Sequence, residues 1–282
     1  MKKLVEINWL KENLKNKEIK IIDATWHMPS IGLDGFQIFK EKHIPKAIFI
    51  DLEEISNQDS NLPHMMPDED YFSKKISSLG INNSDHLIIY DMYGMFSAAR
   101  IWFMFKAFGH KKISILNGGF PAWVDSNGEI SNQITKFKET NYEATLNKSL
   151  IVNYQYVLKN ISEKKHQVID ARSPERFFGI DQEPRPDIKS GHIPNSINLY
   201  FNDLIDKKSK KFIEKKKIEN LLKKSDIDKE KNIICTCGSG VTACIIKFAI
   251  ELISENNNIK IYDGSWSEWG TIKGSPCEKN KN

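Results

Sequence analysis

Cysteine is scarce in this chain, with four among 282 residues. That is too sparse for a disulfide scaffold and suits a compartment that keeps thiols free for chemistry. A zinc knuckle is excluded as well, because C-T-C at 235–237 has the wrong spacing and neither H-x-H nor a second C-x-x-C lies near it. Long apolar runs are also missing. No window approaches the ~20 residues needed to span a bilayer. The opening M-K-K-L-V-E-I-N-W-L-K-E-N-L carries charge throughout and lacks the apolar centre of a secretion signal. Together these predict a cytoplasmic protein without membrane attachment. Net charge is only +4, too small and too scattered to argue for nucleic acid. The densest basic stretch, K-K-S-K-K-F-I-E-K-K-K at 207–217, is broken by Phe212, Ile213 and Glu214 and reads as a solvated loop or helix face.

What the chain does contain is a 40% hydrophobic share against 28% charge, the balance of a globular protein with a full core. It also contains itself twice. I-K-I-I-D-A-T at 19–25 is echoed by H-Q-V-I-D-A-R at 166–172, and E-K-H-I-P-K-A-I at 41–48 by S-G-H-I-P-N-S-I at 190–197. L-I-I-Y-D-M at 87–92 answers N-I-I-C-T-C at 232–237, and G-G-F-P-A-W at 118–123 answers D-G-S-W-S-E-W at 263–269. Four matches in one order, at offsets near 145 residues, indicate a duplicated domain. In each copy, short apolar strands alternate with helical patterns. This predicts an α/β fold: tandem domains, each a mostly parallel sheet with helices on both faces. The polar stretch after the first copy reads as a linker, giving domains at 1–128 and 149–282 joined by 129–148.

The copies differ after the second long strand, where the first has D-M-Y-G-M-F-S-A-A-R and the second T-C-G-S-G-V-T-A-C. Aligning the strands places Met92 opposite Cys237, so one working site is expected. In an open parallel sheet, ligands bind beyond the carboxyl ends of the strands, where Cys237 falls. Gly238 and Gly240 allow dihedrals closed to other residues, so successive amides can turn toward one centre. The helix that follows points its unpaired N–H groups at the same spot. Such a cradle stabilises a thiolate, the nucleophilic form. A packing role for Cys237 fits the spacing too. A phosphatase of the C-x5-R type does not, since Ala243 stands where the arginine belongs.

With C-G-S-G-V-T after a strand, H-I-P in both halves and D-G-S-W-S-E-W near the end, the chain resembles the two-domain rhodanese superfamily over nearly its full length. It is most similar to the branch that uses 3-mercaptopyruvate. The resemblance implies a silent first domain and a second whose Cys237 carries a persulfide. Sulfur would pass from a small-molecule donor to a thiol acceptor such as thioredoxin, or to cyanide, with no cofactor. The thiosulfate branch typically has basic residues after the cysteine, whereas Gly238 and Ser239 are neutral. P-E-R-F-F-G-I-D-Q-E-P-R-P at 174–186 matches the stretch that places two substrate-binding arginines on Arg176 and Arg185. Guanidinium forks suit an α-keto acid. The loop residues Gly238, Gly240, Val241 and Thr242 are implied as the rest of the binding surface. A serine–histidine–carboxylate relay carries over onto Ser239 and His64, while its acid falls by spacing on Glu53, with Asp51 two residues earlier. His43, His192, Asp23 and Asp170 recur in both copies and read as structural. Trp123, Trp266 and Trp269 read as packing, with Trp266 and Trp269 also candidates for a pocket wall.

Overall fold

The computed structural model describes residues 2–279. The chain forms two compact units, each built on a five-stranded, wholly parallel sheet. In the first unit the strands are β1 (Leu4–Val5), β2 (Ile19–Asp23), β3 (Ile48–Phe49), β4 (His86–Tyr90) and β5 (Ile113–Leu116), in the order β1-β5-β4-β2-β3. Its helices are α1 (Ile7–Asn13), α2 (Gly35–Glu41), α3 (Leu52–Ile55), α4 (Glu69–Ser78), α5 (Ala98–Ala107) and α6 (Gly119–Asp125). The second unit repeats the plan with β6 (Ile151–Val152), β7 (Gln167–Asp170), β8 (Ser196–Asn198), β9 (Ile233–Thr236) and β10 (Ile259–Tyr262), ordered β6-β10-β9-β7-β8. Its helices are α7 (Tyr154–Glu163), α8 (Pro174–Phe177), α9 (Lys215–Lys224), α10 (Ala243–Ile253) and α11 (Ser265–Trp269).

Helices cover both faces of the sheets, and the central strands show why. In β4, Ile88 and Tyr90 join Ile21 and Leu116 beneath Leu10, Phe39, Phe120 and Trp123, which come from α1, α2 and α6. The alternate residues Leu87 and Ile89 are equally buried on the other face, where α5 packs on β4 and β5. Burial on both sides demands an unbroken apolar run, and L-I-I-Y and I-I-C-T supply it. No helix among the described residues is long and apolar enough to cross a membrane.

The compact units do not follow a single cut in the chain. The first gathers residues up to Gln58, Met66–Asn147 and Ile205–Phe212. The second gathers Asp59–Met65, Lys148–Leu204 and the described residues from Ile213 onward. Residues 129–147, read from composition as a linker, thus belong to the first unit. Ser131 bridges His43 in a backbone pair, and Tyr142 is buried among Phe72, Phe105 and His110. Backbone bonds and the buried Tyr142 ring anchor a segment whose apolar residues are scattered among polar ones, so composition concealed it. The basic stretch is also divided. Lys207 and Lys208 are exposed, but Phe212 is buried and its N–H donates to the Asn117 side chain in the first unit.

Candidate active site

Hydrogen-bond register, rather than residue counting, fixes which positions of the two repeats correspond. Asp23 on β2 sits opposite Tyr90, and its counterpart Asp170 on β7 sits opposite Thr236. The next residues are Asp91 and Cys237. Their carbonyls accept from Phe120 N–H at 3.0 Å and Trp266 N–H at 2.9 Å, again matching positions. Asp91, not Met92, is therefore the counterpart of Cys237, and the loop from there to the helix is one residue longer in the first repeat. The Asp91 carboxylate accepts from the amides of Tyr93, Phe96 and Ala98 at 2.9, 2.6 and 2.9 Å. Burial pushes its carboxyl above the usual range despite those bonds. In the first unit the strand-to-helix corner thus aims three amides at the first side chain after the strand. In the second unit that side chain is a thiol.

Cys237 lies at the end of β9 with 1% of its surface exposed, while Gly238 beside it is partly open to solvent. Only Gly240 takes the left-handed backbone expected of this loop, with φ at 75°. Gly238 has a different reason to lack a side chain: a Cβ there would lie 3.1 Å from a guanidinium nitrogen of Arg176. The D-G-S-W-S-E-W segment holds the loop from behind. Ser265 Oγ accepts the Cys237 N–H at 3.2 Å, and Gly238 O accepts from Ser267 N–H at 2.8 Å and Ser267 Oγ–H at 2.6 Å. Cys244 donates its thiol to Gly240 O at 3.3 Å, and Cys235 is buried on β9, where loss of water drives its thiol pKa far up.

Arg176 rises from α8, a four-residue helix opened by Pro174 and capped by Ser173. Its guanidinium meets Glu183 through both carboxylate oxygens, with Nη2 to Oε2 at 2.5 Å and Nε to Oε1 at 3.3 Å. Glu183 also accepts from Arg172 Nη1 at 2.8 Å. Arg172 is buried, grips Asp170 through Nε and Nη2, donates to Gly191 O at 2.8 Å and lies 4.3 Å over the Trp266 ring. The first repeat has Thr25 in place of Arg172. There Asp23 bonds to Thr25 alone among its own D-A-T residues, and burial raises its pKa to about 6. Arg185 is half-buried in the same stretch of the second unit.

Ser239 and His64, 175 positions apart, share a hydrogen bond of 3.0 Å between Oγ and Nδ1 within the second unit. Both are buried, and His64 takes a left-handed backbone with φ at 59°. This is a costly conformation for a residue with a side chain and one often found at working sites. Of the two acids considered beside them, Asp51 caps α3 by accepting the Glu53 N–H. Glu53 belongs to the first unit, where it accepts the Trp26 indole N–H at 2.8 Å.

The family model described as the rhodanese-like domain matches twice, at residues 6–126 and 153–271. The chain belongs to the rhodanese family. It is 38% identical to the 3-mercaptopyruvate sulfurtransferase of Mus musculus over 94% of this chain and 91% of the mouse protein. To the thiosulfate sulfurtransferase of Gallus gallus it is 36% identical, over 94% and 92%. The solved structure of SseA from Escherichia coli, a 3-mercaptopyruvate sulfotransferase, superposes with a TM-score of 0.86 at 33% identity, covering 94% of this chain and 99% of that one.

Within this rhodanese, several features escaped the sequence. Ser265 and Ser267 were hidden between conspicuous tryptophans, which are themselves fully buried and donate to Lys189 O and Pro276 O. Glu183 looked like one surface acid among many; its proximity to both arginines is a product of folding. The H-I-P histidines do hold their loops. His43 bonds Phe39 O and stacks on Phe39 at 4.1 Å, and His192 bonds Phe177 O and stacks on Phe177 at 3.9 Å.

Proposed function

We propose that the chain is a sulfurtransferase that moves sulfane sulfur from 3-mercaptopyruvate to a thiol, or to cyanide, through a persulfide on Cys237. The observation that carries this reading is the equivalence of Cys237 with Asp91. The corner that gathers three amides around a carboxylate in one repeat presents a nucleophile in the other. An anionic sulfur at the matching position would call on the amides of its own corner, in a buried site with little water to compete. Arg176 beside Gly238, with Arg185, supplies the positive charge for the carboxylate and keto oxygen of the donor.

In the first half-reaction the Cys237 thiolate attacks the donor sulfur. The donor's C–S bond breaks, its electron pair passes to carbon as an enolate, and protonation yields pyruvate. Ser239 and His64 serve this proton movement. In the second half-reaction a thiolate, such as that of reduced thioredoxin, attacks the outer sulfur and Cys237 leaves as thiolate, restoring the enzyme. Attack by cyanide gives thiocyanate. The pathway is ping-pong, and the two electrons given up by the sulfur pair leave with the donor carbon that becomes the pyruvate methyl group, so no outside oxidant or reductant is needed.

Intact-mass measurement after treatment with 3-mercaptopyruvate tests this reading. The chain should gain one sulfur atom, lose it to cyanide, and gain nothing as Cys237→Ser. A chain that takes up no sulfur is a binding module instead. Turnover on the two donors separates the branches, because a higher kcat/KM for thiosulfate would reassign the substrate.

A further inference from the structure

Arg176 is a long side chain on a four-residue helix, with about a quarter of its surface exposed. Left to itself such a side chain samples many rotamers, at an ordering cost of up to about 2 kcal/mol. Here it is held. The Glu183 side chain is 3% exposed and clamped between two guanidinium groups, and its other partner, Arg172, is fixed by Asp170, by Gly191 O and by the face of Trp266. Charges alternate along this line: Asp170, Arg172, Glu183, Arg176. It runs from the end of strand β7 to a guanidinium nitrogen 3.1 Å from where Gly238 would carry a Cβ.

We propose that Glu183 is a positioning residue that sets donor specificity by acting through Arg176. This rests on the reading that Arg176 binds the donor carboxylate. Two effects follow from one carboxylate. The first is geometric: Arg176 is aimed at the loop before substrate arrives, so a planar carboxylate meets a guanidinium already in register, and misplacement by even 1 Å costs about a hundredfold in rate. The second is electrostatic. Glu183 cancels part of the Arg176 charge, enough to admit a monoanionic keto acid but unfavourable to the thiosulfate dianion. Specificity is a difference of affinities, and a fixed like charge is one way to create it.

The test uses the full chain and kcat and KM on both donors for Glu183→Gln. Glutamine keeps the shape and one acceptor oxygen for Arg172 while removing the charge. The expected result is a kcat/KM for 3-mercaptopyruvate lower by roughly 10–100-fold, a KM for thiosulfate that falls or holds, and a donor ratio shifted at least about tenfold. Arg172→Lys, which withdraws one anchor of Glu183 and leaves its bond to Arg176, should shift the ratio the same way by less, and covers the case of a Glu183→Gln chain that does not fold. Equal losses on both donors would mean that Glu183 only supports the fold, and would overturn the proposal. An unchanged Glu183→Gln enzyme alongside an Arg176→Gln enzyme with raised mercaptopyruvate KM would overturn it while leaving Arg176 as the donor site. If Arg176→Gln itself leaves that KM unchanged, the donor reading falls and takes this proposal with it.

Discussion

Truncating the same structural position in the two repeats should have opposite consequences. Asp91→Ala removes the acceptor for three amide donors held at 2.6 to 2.9 Å in a fully buried corner. Each buried donor left without a partner costs about 1–3 kcal/mol. Relief from burying a carboxylate, whose pKa burial already raises, offsets part of that sum. A net loss of about 3 kcal/mol remains, and for a chain of this size each kcal/mol lowers Tm by roughly 2–4 °C. The expected drop is therefore about 6–12 °C, with Asp91→Asn, which keeps one acceptor oxygen, falling between it and the parent. Cys237→Ala deletes a single sulfur from a packed position, a loss of about 1 kcal/mol, yet should abolish sulfur uptake. Thermal unfolding of the variants followed by circular dichroism, with intact mass for sulfur loading, reads both outcomes. If Asp91→Ala melts within about 2 °C of Cys237→Ala, the corner does not demand an anion or strong acceptor, and the argument for a persulfide cradle loses its footing.

Further measurements address other parts of the structure. Asp23 has a raised pKa of about 6 in the folded chain, against about 3.9 when unfolded. Its contribution to stability is thus full below about pH 4 and is lost as pH rises through about 6, a change of roughly 3 kcal/mol. Urea midpoints across that window should show a decline that flattens in Asp23→Asn. Gly240→Ala places a methyl group on a backbone at φ 75°, costing about 1–2 kcal/mol. It should lower kcat on 3-mercaptopyruvate more than it raises KM, because the loop rather than the arginine is displaced. Lys247 and Glu251 form a buried pair at 2.9 Å on α10, so Lys247→Met should destabilise the chain by about 3–5 kcal/mol in denaturant titration.

The duplication, the parallel sheets and the placing of Cys237 at a strand-to-helix corner were legible because each leaves a periodic or repeated trace. I-K-I-I-D and Q-V-I-D are apolar runs ending in the same acid, and H-I-P marks the same loop twice. What escaped detection depends on register and on long-range closure. Counting along L-I-I-Y-D-M set Met92 against Cys237, whereas the ladder between β2 and β4 moves the match to Asp91. The difference is a single extra loop residue, invisible to composition. Residues 129–147 looked like a linker because backbone groups and one buried ring, Tyr142, hold them. Gly238 was read, with Gly240, as taking a backbone closed to other residues, but only Gly240 does; at Gly238 a Cβ would instead crowd the Arg176 guanidinium. Pairing His64 with Ser239 came from a family likeness; no local pattern links positions so distant.

That pairing limits how the gene can be divided. The imidazole beside Ser239 is encoded in the first half of the message, in the short segment Asp59–Met65 that folds into the second unit. A truncated product starting at Lys148 would inherit the thiol and the Arg172–Glu183–Arg176 network but not the histidine that bonds Ser239. On the proposed reading, the first half of the gene therefore cannot be discarded even where its own repeat holds Asp91 in place of a thiol.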